Sequence, residues 1–92
     1  MRAVIKLLHA TALRDHVVRL AFSDGSRGDY DFAELVRRGG GAAEALKDPV
    51  FFRRLTVKAG TLAWPNGFEL EGGDLRRRLA EKGLLRQPGA QA

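Results

Sequence analysis

The sequence predicts a small α+β domain. Three observations carry that expectation. Alternating and apolar stretches of strand length recur through the first two thirds of the chain. Turn signals of the Asp-Gly and Asn-Gly type separate them. Aspartates stand at the starts of short apolar-faced segments that read as helices. The chain has 92 residues, of which 45% are apolar and 29% charged. That length allows one domain with one modest core, taken as residues 1–85 with a frayed tail over 86–92.

Val4 to His9 reads as a first, largely buried strand, followed by a polar connection at Leu13, Arg14 and Asp15. His16 to Phe22 is the clearest strand, with His16, Val18, Leu20 and Phe22 on one face and Arg19 on the other. Asp24-Gly25 predicts a type I′ hairpin turn, with positive φ at both central residues. Arg27 to Asp31 returns as a third strand, Gly28 and Tyr30 alternating with Arg27, Asp29 and Asp31. The result is a three-strand antiparallel meander.

Asp31 and Glu34 have capping-box spacing ahead of a short helix that carries Phe32, Leu35 and Val36. Gly39-Gly40-Gly41 stops it, and Ala42 to Leu46 adds a further helical turn. Asp48-Pro49 starts another helix, anchored by Phe51 and Phe52. Leu55–Lys58 and Thr61–Trp64 form a second hairpin across Ala59-Gly60. Pro65 weakens pairing there, Asn66-Gly67 turns the chain, and Phe68–Leu70 is a short edge strand. Asp74 is expected to cap a C-terminal helix whose inner side carries Leu75 and Leu79, and Gly83 ends it.

Composition narrows the function classes. There is no cysteine, hence no disulfide and no thiolate metal site. The N-terminal apolar run is interrupted by Lys6, and no stretch approaches the roughly 20 apolar residues of a membrane span. A cytoplasmic protein without membrane attachment is expected. The net charge is +5 and the isoelectric point about 10.4. The cations fall in blocks: residues 15–34 carry net −3, residues 35–58 net +4 and residues 74–92 net +3. No single cationic stripe results, so the charge raises a nucleic-acid role only modestly.

Chemical candidates stand beside structural alternatives. A hairpin centred between Ala12 and Leu13 would set His9 opposite His16, near Asp15. Two imidazoles without a third ligand make a poor metal site. Asp24, Asp29, Asp31 and Glu34 form an acidic group, yet each has a local task in a turn, a cap or an exposed strand position. No nucleophile elbow or phosphate loop is present. No cofactor, no metal and no catalysis are expected.

Two stretches are more specific. One is Leu20-Ala21-Phe22-Ser23-Asp24-Gly25-Ser26-Arg27-Gly28-Asp29-Tyr30-Asp31. The other runs from Leu46-Lys47-Asp48-Pro49-Val50-Phe51-Phe52 to Trp64-Pro65-Asn66-Gly67-Phe68-Glu69-Leu70. In order and spacing they resemble the bacterial family known as domain of unknown function 2442, over roughly residues 4–75. The resemblance implies an α+β fold with a small antiparallel sheet and no established activity. It also implies a possible place in a two-gene, toxin–antitoxin-like pair. Glu69 departs from the family's usual Asp, and the basic segment from Arg76 onward departs in length and charge.

Two surfaces follow as candidates. Trp64, Pro65 and Asn66, with Arg53 and Arg54, would bind a small protein partner if Trp64 is an exposed anchor. The alternative for Trp64 is closure of the core. Arg76, Arg77, Arg78 and Lys82 would bind nucleic acid, the alternative being a solvated helix face. An exposed edge strand leaves room for a homodimer. The leading expectation is a non-enzymatic protein-interaction module, with a nucleic-acid-binding accessory as the alternative.

Overall fold

A computed structural model describes residues 5–87. The meander forms first: β1 (Leu7–Arg14), β2 (Val17–Phe22) and β3 (Arg27–Asp31) pair antiparallel in the order β1-β2-β3. Val18, Leu20, Phe22, Gly28 and Tyr30 are buried on its inner face. Arg19, Arg27 and Asp31 emerge on the other, beside the half-buried Asp29. This is the alternation expected from a strand period of two.

β1 extends well beyond the expected end at His9. Its hairpin turns at Asp15-His16, where Asp15 takes φ 47°, a conformation Asp tolerates better than most residues. The polar connection expected at Leu13-Arg14-Asp15 is therefore mostly strand. Register shifts between Leu7 and His9 and between Ala12 and Arg14 keep the strand paired along β2. His9 consequently faces Ala21 rather than His16. The expected histidine pair does not exist, because moving the turn by three residues resets every partner.

The β2–β3 connection also differs from a two-residue type I′ turn. Phe22 N–H donates to the Ser26 carbonyl (2.9 Å) and Gly25 N–H to the Phe22 carbonyl (3.0 Å). This is a three-residue loop with only Gly25 left-handed, at φ 87°.

Asp31 Oδ1 accepts from Ala33 N–H at 2.9 Å, starting α1 (Ala33–Arg38). Glu34 does not close a capping box. It pairs with Arg38 one turn on, at 3.5 Å. Gly39, Gly40 and Gly41 all take positive φ, which ends α1 and separates it from a 3₁₀ segment at Gly41–Lys47. Asp48 caps α2 (Pro49–Phe52) through Val50 N–H at 3.0 Å.

A second antiparallel sheet, in the order β4-β5-β6, joins β4 (Thr56–Lys58), β5 (Thr61–Ala63) and β6 (Glu69–Glu71). The expected hairpin and the expected short edge strand thus form one sheet, the edge strand lying one residue later than Phe68–Leu70. Pairing of β5 stops at Ala63, ahead of Pro65. The last helix, α3 (Gly72–Glu81), begins directly after β6. Asp74 lies inside its first turn and pairs with Arg77 instead of capping. The early start depends on Gly72: a Cβ there would lie 2.6 Å from the Gly60 carbonyl oxygen and 2.9 Å from Leu7 N.

Leu75 and Leu79 bury the inner side of α3. Past Gly83 (φ 72°), Leu84 N–H returns to the Leu79 carbonyl at 2.9 Å and Gly83 N–H to Ala80 at 3.1 Å. This C-terminal motif reverses the chain toward β3. Arg86 does not fray: it forms an antiparallel bridge with Arg27. Residues 88–92 of the expected tail lie outside the described residues. Among the described residues no helix is long and apolar enough to cross a membrane.

Candidate functional site

Trp64 is 4% exposed and belongs to the core. Its Nε1–H donates to the Phe52 carbonyl at 2.9 Å. Its ring lies 5.8 Å from that of Phe52, 5.6 Å from Phe68 and 6.3 Å from Phe32. Of the two readings of Trp64, exposed anchor and closure of the core, its burial matches the second. Two residues after buried Leu62, Trp64 falls on the same inward face, where its one donor finds a carbonyl. Pro65 and Asn66 are exposed. Asn66 binds its own chain, donating from Nδ2 to the Ala42 carbonyl (2.9 Å) and accepting from Phe68 N–H (3.2 Å). Arg53 and Arg54 are exposed after α2.

The Arg-rich helix holds the fold together. Arg76 is half-buried and reaches the β2–β3 loop, donating from Nε to Ser26 Oγ at 3.2 Å and from Nη2 to Asp24 Oδ2 at 2.8 Å. Ser26 is fully buried there, and Asp24 Oδ1 accepts from its N–H at 3.0 Å. Burial pushes the Asp24 carboxyl up, but the Ser26 and Arg76 hydrogen bonds and the Arg76 charge outweigh it and hold Asp24 below the usual carboxylate range. Arg77 pairs with Asp74 at 3.0 Å. Arg78 donates to the Tyr30 hydroxyl at 3.4 Å, and Lys82 lies 5.7 Å from the centre of the Tyr30 ring. All four candidate nucleic-acid contacts thus have partners within the chain.

The histidines are apart. His9 is exposed on β1. His16 stands edge-on to Phe52 (4.8 Å), with Nε2 buried and without a hydrogen-bond partner among the described residues. Asp24, Asp31 and Glu34 are engaged as described, and Asp29 meets Arg19 across the strands at 2.9 Å. Among the described residues no three His, Asp or Glu side chains gather as a metal site.

A different feature emerges at the far edge of the meander. Arg27 and Arg86 exchange both backbone hydrogen bonds, at 3.0 and 2.7 Å. Residues paired in this way send their side chains to the same face. Arg27 lies on the outer face beside Ala21, so Arg86 joins it. In the next row Arg19 donates Nε to Asp29 Oδ1 (2.9 Å) and Nη2 to Oδ2 (3.3 Å). Asp29 sits below the usual carboxylate range, chiefly through the Arg19 hydrogen bond, against the opposing effect of burial, and further through the charges of Arg19, Arg14 and Arg86.

Together Arg19, Arg27, Gly28, Asp29, Leu84 and Arg86 line a cavity of about 470 Å³. Gly28 lets the returning chain close up on β3: a Cβ there would lie 2.8 Å from the Leu84 carbonyl oxygen and 3.1 Å from Leu79 Cδ1. The cavity holds three guanidinium groups and one carboxylate, and that carboxylate already serves Arg19. Guanidinium pairs of this kind recognise carboxylates and phosphates through paired N–H donors. Sequence reasoning missed Arg19, Arg27 and Leu84 as site residues. It placed Arg86 in a frayed tail. The available signal was the period of two in β2 and β3, which already set Arg19 and Arg27 outside. The return of Arg86 is a tertiary event with no local signature.

No curated protein and no solved structure matches the chain. One family model does, described as "Protein of unknown function (DUF2442)", over residues 7–78. Leu84 and Arg86 lie beyond the matched span. Covering most of the 92 residues, the match confirms the resemblance carried by the Asp24-Gly25 and Trp64-Pro65-Asn66-Gly67 stretches: the chain belongs to the DUF2442 family.

Proposed function

We propose that this chain is a non-enzymatic protein-interaction module whose working surface is the outer face of the β1–β3 meander. One observation carries the reading. That face is left uncovered, with His9, Thr11, Arg14, Arg19 and Arg27 exposed, while the inner face is buried. The earlier candidate surface around Trp64 gives way to it because Trp64 is in the core. Partnership as one half of a toxin–antitoxin-like pair extends the same proposal, and its support is the family resemblance alone.

A nucleic-acid role is the competing reading, since the face is cationic. Support for the protein reading comes from the aromatics. None of the five Phe, one Tyr and one Trp is exposed, so bases find no large aromatic platform on which to stack.

The test is capture of partners from the native host on the tagged chain, with and without nuclease, across a salt series. The proposal predicts a stoichiometric protein that survives nuclease and weakens only gradually with salt. Loss on nuclease treatment, with the steep salt dependence of counterion release, would move the function to nucleic acid.

A further inference from the structure

We propose that the cavity between β3 and residues 84–86 is a recognition site for an acidic, leucine-flanked peptide segment of a partner protein. Arg27 and Arg86 take its carboxylates, and Leu84 receives its apolar side chain. The inference rests on the interaction-module reading and names the chemistry of the partner.

Arg27 and Arg86 are directly opposed like charges, an arrangement that costs stability when nothing offsets it. Among the described residues neither has a carboxylate within salt-bridge distance, whereas Arg19 has Asp29 and three α3 cations have Asp24, Asp74 or Tyr30. The Arg19–Asp29 pair holds one guanidinium in the cavity wall and leaves Arg27 and Arg86 to an incoming anion. A bound carboxylate would join two cations that otherwise repel.

Three features favour a peptide over a nucleic acid. The cavity is local, about 470 Å³, and suits one or two acidic side chains rather than a run of phosphates. Leu84, 48% exposed, puts an apolar ledge beside the cations. The chain exposes no Phe, Tyr or Trp ring on which a base would stack.

The experiment is fluorescence anisotropy with a labelled peptide of alternating glutamate and leucine. Its glutamine counterpart, a labelled oligothymidine and inorganic phosphate as competitor complete the set. The folded wild-type chain is expected to bind the glutamate peptide saturably. The glutamine peptide and the Arg27→Gln/Arg86→Gln variant should each lose at least about tenfold in affinity, the scale of charge-assisted hydrogen bonds. The backbone bridge does not need either guanidinium, so that variant should keep its fold, checked by circular dichroism. Leu84→Ala should weaken binding less than the double variant. Arg37→Ala/Lys58→Ala, which removes equal charge elsewhere, should stay within about twofold.

No saturable binding of the glutamate peptide, or binding unchanged in Arg27→Gln/Arg86→Gln, overturns the proposal. So does oligothymidine binding more tightly than the peptide and depending on the same two residues, which assigns the cavity to phosphate backbones. Displacement of the glutamate peptide by phosphate at equal concentration would reduce it to a general anion site and likewise overturn it, as would a glutamine peptide that binds as tightly as the glutamate one, which would remove the carboxylates from recognition. A host partner retained by the double variant would sink this inference and leave the interaction-module reading standing. Absence of any nuclease-resistant partner would sink that reading instead.

Discussion

Two groups of arginines meet the β2–β3 hairpin, and their environments differ. Arg76, Arg77 and Arg78 project from α3 and each finds a partner within the chain: the Asp24–Ser26 loop, Asp74 and the Tyr30 hydroxyl. Arg27 and Arg86 are brought together by a backbone bridge and stand side by side on the outer face. The first group is conspicuous in sequence and serves the fold. The second is scattered over 59 positions of sequence and forms the cationic wall of a cavity. A cation run in sequence is therefore a poor guide to which charges remain open to a ligand.

The comparison can be broken or sharpened by substitution. The largest expected effect lies in the core that both groups surround. Trp64→Ala should cost about 3–5 kcal/mol in urea denaturation, because it empties a buried aromatic cluster and orphans the Phe52 carbonyl. A loss below about 1 kcal/mol would return Trp64 to the surface.

Next comes the inner group. Arg76→Ala should cost about 1–3 kcal/mol, since it leaves Asp24 and buried Ser26 short of a donor. Gly28→Ala should cost a similar amount, about 1–3 kcal/mol, by pressing on the Leu84 backbone. It should also raise amide exchange at Arg86, which Arg76→Ala should not.

The inner group also carries a pH signature. Asp24 is held below its ordinary range when folded, so its contribution is present above the unfolded carboxylate range. It is lost as pH falls through the lowered folded value. The stability gap between wild type and Asp24→Asn should accordingly close in acid. A gap that widens in acid would reverse the assignment.

The smallest effect comes from the outer pair. Arg86→Ala should change stability by less than about 1 kcal/mol, because relief of the repulsion with Arg27 is set against loss of the Arg86 charge that favours the Asp29 carboxylate. Measurable destabilisation beyond that would show that Arg86 has an internal partner after all.

Much of the fold was legible in the sequence. The faces of β2 and β3, the Asp48-Pro49 start of α2, the glycine stop after α1 and the second hairpin follow from periodicity and turn chemistry. The misses have a common cause. The β1–β2 turn falls at Asp15-His16 because pairing with β2 carries Ala10 to Arg14 into the strand, although alanines are weak strand formers. Asp74 and Glu34 had capping spacing but met nearer cationic partners. Trp64 and Arg86 were decided by tertiary packing. The candidate site was half legible: Arg19, Arg27 and Asp29 by alternation, Leu84 and Arg86 only once the chain returned past Gly83.

The most direct measurement is an amide chemical-shift map of the ¹⁵N-labelled chain titrated with the glutamate–leucine peptide. The account predicts shifts concentrated at Arg19, Arg27, Gly28, Asp29, Leu84 and Arg86, with Arg76–Lys82 and Asn66 little changed. Shifts centred on Arg76, Arg77, Arg78 and Lys82, or on Arg53, Arg54 and Asn66, would contradict it and return the working surface to the residues most conspicuous in the sequence.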